Sequence, residues 1–170
     1  MSRLLSTVLI LLLAAAPVLA QGYGGYGGAS SKLSDHTTNK VVRLLERGLR
    51  QCQSLDSVYR YDCYRQNYGD AARRLDENPA YLPAQQALQH IEATLQNVLS
   101  ANSDSAADTL RRRDKTFTAI NSSAVPQSKA AFTAALETAR TQLLRTPDTG
   151  GDHFSRIAKV LDSNKVFLRS

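Results

Sequence analysis

The chain has 170 residues and a formal charge of +6, and its first 20 residues, MSRLLSTVLILLLAAAPVLA, hold 15 apolar residues and a single arginine. Without that stretch, 20 Lys and Arg face 15 Asp and Glu, a charge of +5, and Leu, Ile, Val and Phe number 30 in 150 residues. So thin an apolar content sits at the edge of what offsets folding entropy, which leaves room for one small domain and none for several.

Residues 1–20 have the layout of a cleaved secretory signal peptide. Arg3 gives a positive start, Leu4 to Ala16 is apolar apart from Ser6 and Thr7, and Pro17-Val18-Leu19-Ala20 puts small residues before a cut. The apolar run falls short of the roughly 20 residues that span a bilayer, no later segment approaches that length, and no cysteine follows the cut to carry a lipid. The expectation is an exported chain, periplasmic or extracellular, with no transmembrane anchor after cleavage. Residues 21–33, which include GYGGYGGASS, read as a flexible Gly/Tyr/Ser-rich lead-in, and residues 34–170 as a single helical domain.

The period from there on is helical. A first helix starting near Ser34 or Asp35 gathers Val41, Leu44, Leu45, Leu49 and Cys52 on one arc. Tyr61, Tyr64, Tyr68, Ala71, Ala72 and Leu75 form a second stripe, ending before Asn78-Pro79. A third helix after Pro83 carries the cleanest stripe, Ala84, Ala87, Leu88, Ile91, Leu95, Val98 and Leu99. Ala106, Leu110, Phe117 and Ile120 outline a shorter helical segment. Pro126 opens the next helix, with Phe132, Ala135, Leu136, Ala139 and Leu143 on one face, and it stops near Thr146-Pro147. After Thr149-Gly150-Gly151, Asp152 caps a last helix bearing Phe154, Ile157, Ala158, Leu161 and Leu168. The fold expected is all-α, an antiparallel up-and-down bundle of five or six helices, none apolar all round and so none central.

Cys52 and Cys63 are the only cysteines, and an oxidising compartment lets an even pair close. On one straight helix they would lie about 16 Å apart, whereas a disulfide needs Cα atoms within about 7 Å. A bridge therefore demands a turn, and Ser54, Asp56 and Ser57 supply helix-capping types at the tip of a helical hairpin.

No stretch carries a catalytic or cofactor motif: there is no G-x-S-x-G, P-loop, dinucleotide fingerprint or H-E-x-x-H. His36, His90 and His153 are scattered, and only His153 has a carboxylate beside it in sequence, Asp152. No catalytic residue, metal or cofactor is expected. Three surface features remain. Lys40, Arg43, Arg47 and Arg50, spaced three, four and three, align on the outward side of the first helix, with Glu46 near them. Arg111, Arg112, Arg113 and Lys115 make the densest basic cluster, in which Arg113 falls in the middle of the 106–120 stripe. There it must snorkel, pair with Glu92 or Glu137, or lie in a loop. Tyr61, Tyr64 and Tyr68 share a face that suits an aromatic contact surface or a bundle wall with hydroxyls reaching water. Asn121-Ser122-Ser123 matches a glycosylation acceptor.

The first expectation is an exported non-catalytic binding or structural module. The alternative is a binder of acidic envelope polymers or lipid head groups through the cationic helix face, and the third class is an enzyme with a site assembled from distant segments. The partner is an acidic envelope component or another exported protein, and not nucleic acid, since no binding motif accompanies the basic residues.

Overall fold

A computed structural model describes residues 32–148 and 151–169, with side chains as far as Lys165. The expected signal peptide, the lead-in apart from Lys32 and Leu33, and the Leu168 side chain lie outside the described residues. Five helices make up most of the rest: α1 Asp35–Gln53, α2 Ser57–Arg73, α3 Leu82–Asn102, α4 Val125–Arg145 and α5 His153–Arg169. A two-stranded antiparallel hairpin, β1 Leu110–Arg112 and β2 Lys115–Phe117, stands between α3 and α4.

Each boundary has a local cause. Ser34 is extended, and its hydroxyl accepts from the Thr37 backbone amide at 3.3 Å, which starts α1. Asn78 accepts from the Ala80 amide and opens a 3-10 turn, Pro79–Tyr81, that feeds directly into α3 one residue before Pro83. Pro126 lies in the first turn of α4, where a missing N–H is not needed. At α5 Asp152 holds the expected cap position, its carbonyl accepting from the Arg156 amide at 2.9 Å, while the carboxylate accepting from the Phe154 amide, also at 2.9 Å, belongs to Asp148.

Each helix packs on the next in sequence, and α5 closes back onto α1. Cys52 faces Cys63 and Leu45 faces Asn67, so α1 and α2 run antiparallel. Arg140 meets Asp162 while Glu137 meets Lys165, which sets α4 against α5 the same way. The closing seam is parallel and polar. Thr38 Oγ1 is 2.9 Å from His153 Nδ1 and 2.7 Å from the Tyr81 hydroxyl, which donates to the Ser34 carbonyl at 2.7 Å. Beside that chain, Arg156 bonds Asp35 at 2.5 Å and also contacts Asn39.

The expected apolar stripes form the core with small changes. The seven residues foreseen on α3 are its buried residues, and Phe132, Ala135, Leu136, Ala139 and Leu143 are buried on α4. Leu44 departs from its stripe and is only partly buried. The disulfide is present, with Cα atoms 5.5 Å apart across the α1–α2 turn, and closing a loop of about 12 residues contributes roughly 3 kcal/mol in the chain-entropy model.

Two expectations fail for instructive reasons. No helix was expected to be central, yet Tyr61, Asp62, Cys63 and Tyr64 are all buried, so α2 is covered on every side by α1, α3, α4 and the hairpin. Its polar residues conceal this because they are buried with partners: Asp62 accepts from Arg65 at 2.7 Å and from the Thr118 amide at 2.8 Å. The 106–120 segment is also not a helix. Its helical spacing is overridden by Thr116, Phe117 and Thr118, good strand formers, and by the cost of burying Arg113. A two-residue turn at Arg113-Asp114 puts that cation in water instead, so neither Glu92 nor Glu137 pairs with it.

Candidate functional site

The hairpin is fastened along α2. Phe117 and Ile120 are fully buried, Gln66 donates to the Thr116 carbonyl at 2.8 Å, and the Tyr59 hydroxyl donates to the Asp108 carbonyl at 2.8 Å. Lys115 bonds Asp70 at 2.6 Å. Burial of Asp70 works to raise its pKa, but the hydrogen bonds and charges of Lys115 and Arg73 outweigh it and hold the carboxyl below the ordinary range. Lys115 is therefore a strut between hairpin and helix and leaves the basic cluster to which the sequence assigned it.

With the root of the hairpin pinned, its tip projects beside α1. Arg111, Arg112 and Arg113 are all exposed there, and together with Arg47, Gln51, Ser54 and Leu55 they line a cavity of about 860 Å³. Arg113 holds a φ of 55°, in the left-handed region, so the turn keeps a strained arginine at the place where glycine would be the relaxed choice. A second cavity of about 400 Å³ runs along the same side of α1, lined by His36, Asn39, Lys40, Arg43, Leu44, Arg47 and, from the end of α2, Arg74. Arg47 belongs to both. The two basic clusters, more than 60 positions apart in sequence, thus line two cavities that adjoin at Arg47, a groove in two parts.

None of these cations is held in an ion pair among the described residues. Among the described residues, Lys40, Arg43, Arg47, Arg50, Arg74, Arg111, Arg112 and Arg113 take part in no ion pair, whereas Arg65, Arg73, Lys115, Arg140, Arg156 and Lys165 all do. Glu46, near them on the same helix, forms no ion pair within 4 Å among the described residues either. Arg50 flanks the groove without lining it. His36 and Arg74 are the members that sequence reasoning passed over. Arg74 was within reach: a bridge from 52 to 63 fixes the antiparallel register, which puts residue 74 opposite residue 41.

The tyrosine face resolves differently. Tyr61, Tyr64 and Tyr68 are 4%, 2% and 0% exposed, which leaves no aromatic surface for a partner. Phe132 of α4 lies 4.9 Å from the Tyr64 ring and 5.9 Å from that of Tyr68. The hydroxyls of two of them end inside the protein rather than in water: Tyr61 donates to the Val125 carbonyl at 3.2 Å, and Tyr68 accepts from Asn164. Burial pushes the Tyr64 phenol up to about 12 and raises Tyr61 and Tyr68 as well.

His90 is exposed on α3 and His153 is buried at the α1–α5 seam, so the histidines do not converge. Among the described residues there is no group of three or more His, Cys, Asp or Glu placed to hold a metal ion, and no helix long and apolar enough to cross a membrane. The Asn121 side-chain amide donates to the Asn102 carbonyl at 3.1 Å, a structural use of the residue in the glycosylation-like triplet. The chain matches no protein-family model, no curated protein and no solved structure.

Proposed function

We propose that this protein is an exported, non-catalytic binding module that takes acidic ligands into the groove between α1 and the tip of the β1–β2 hairpin. The observation that carries this reading is the convergence of both arginine clusters on one groove, with every cation there unpaired. Like charges held together outside ion pairs cost the fold through mutual repulsion, and an anion lowers that cost as it binds. Arginine predominates over lysine among them, and its planar fork matches carboxylate, phosphate and sulfate oxygens in pairs. Export rests on the pattern of residues 1–20 and on the Cys52–Cys63 bridge, the chemistry of an oxidising compartment.

Retention on an immobilised sulfated polysaccharide tests the reading. Replacing Lys40, Arg43, Arg47 and Arg50 by Gln is expected to lower the salt needed for elution far more than replacing Lys32, Lys129, Arg145 and Lys159, which removes the same charge elsewhere. Equal effects from the two sets would reduce the groove to a share of the overall charge and sink the proposal.

A further inference from the structure

We propose that the ligand is a linear polyanion free of aromatic rings, an acidic polysaccharide or polyphosphate chain, laid lengthwise along α1 and gripped at both ends of the groove. This rests on the anion-binding reading above and names its ligand class. Three observations lead to it.

The first is length. The lining runs from His36 to Ser54, 18 residues of one helix and its cap, or about 27 Å at 1.5 Å per residue. A single phosphate or head group would satisfy a small part of that. Lys40, Arg43 and Arg47 climb the helix in steps of about 4.5 to 6 Å, with Arg50 flanking the groove beyond them, so oxyanions repeated along a chain meet one cation after another. The second is the character of the walls. The imidazole of His36 is the only aromatic ring in either lining, whereas single-stranded nucleic acid is held by stacking its bases on aromatic faces. The third argues against a lipid surface. Among the described residues, the exposed large apolar side chains, Leu82 and Leu144, stand on α3 and α4, which contribute nothing to the groove, so none of them accompanies the cations into a membrane.

Two grips on one flexible chain act as linked sites: a ligand long enough to reach both binds the second intramolecularly. Short anions settle at either end independently, and affinity climbs once the chain spans from Lys40, Arg43 and Arg74 to Arg111 and Arg112.

The test titrates the disulfide-bonded chain with inorganic phosphate, tripolyphosphate, a polyphosphate length series and an oligogalacturonate length series, and in parallel with single-stranded DNA and anionic phospholipid vesicles. Affinity is expected to rise by about a hundredfold along one or both series and then flatten; which series does so separates a phosphate chain from a uronate chain. Lys40→Gln/Arg43→Gln and Arg111→Gln/Arg112→Gln should each cost the longest ligand about tenfold or more while leaving the other end's hold on tripolyphosphate unchanged, and Lys159→Gln should change neither. Unaltered urea midpoints would show that the variants remain folded. Short anions binding as tightly as long ones would overturn the polymer and leave the anion groove standing. Tighter binding of DNA or vesicles than of either series would overturn the ligand class, and no binding by any anion would overturn both readings.

Discussion

Gly48 and Gly69 show how single residues set the spacing around α2. A Cβ at Gly48 would fall 1.9 Å from Oδ1 of Asn67, which is 6% exposed and has little freedom to move. A Cβ at Gly69 would fall 2.2 Å from Glu92 Oε1, the far end of a flexible chain that is 28% exposed. Gly48→Ala is therefore expected to destabilise by about 1 to 3 kcal/mol through overpacking, more than the helix propensity it gains. Gly69→Ala should be neutral or stabilising by up to about 1 kcal/mol as Glu92 swings out to water. Urea unfolding of the two variants checks this, and the opposite ranking would show that Asn67 has room the packing denies. Neither role was legible in the sequence, where a glycine inside a helical period signals only a local weakness.

At the scale of elements the hairpin is the informative unit. Its docking surface, its strained turn and its arginine tip have separate energetic roles, and Arg113 joins the last two. Arg113→Gly should relieve backbone strain of about 1 to 2 kcal/mol, partly offset by the greater freedom of glycine in the unfolded chain, and so stabilise by up to about 1 kcal/mol. The same change should weaken polyanion binding and lower its salt dependence by about one counterion. Thermal unfolding paired with a salt series of affinities checks both halves; loss of stability would mean that the turn is not strained at this residue. The α-helices were legible because each carries its stripe over three turns or more, long enough for the period to speak. The hairpin was not, because strands of three residues offer no period, and the 106–120 spacing imitates a helix. The misfit of Arg113 within that false stripe was the one local sign. The candidate site divides the same way: Lys40, Arg43 and Arg47 follow from the period of α1, and their partners at the hairpin tip follow only from tertiary docking.

For the whole molecule, the ion pairs and buried phenols dictate how stability varies with pH. Asp35 is held low by its hydrogen bond and charge contact with Arg156, and Glu137 by Lys165; for Asp162 burial pulls upward but Arg140 and Lys165 prevail. Carboxyls depressed in the folded state bind fewer protons there than in the unfolded chain, so their contribution is present above about pH 4 and is lost as pH falls through the folded values. Tyr61, Tyr64 and Tyr68 act with the opposite sign. Their raised folded values keep stability intact below about pH 10 and lose it as pH climbs toward the Tyr64 value of about 12. Urea midpoints should therefore be flat from about pH 5 to 9 and fall on both sides, and a midpoint that rises on acidification would contradict the ion-pair geometry.

The polar seam where α5 returns to α1 has a consequence for how the chain comes together. Four of the six helix interfaces join neighbours in sequence and can form by local search, the first of them fastened by a crosslink across 11 residues. The α5–α1 seam must bring Thr38 to His153 across 115 residues. By loop-closure scaling that costs about 2 kcal/mol more than closing the crosslinked turn. Bringing α5 back onto α1 is thus the helix pairing with the largest loop-closure cost in the bundle, and it follows the pairings of neighbours that set its two sides in place.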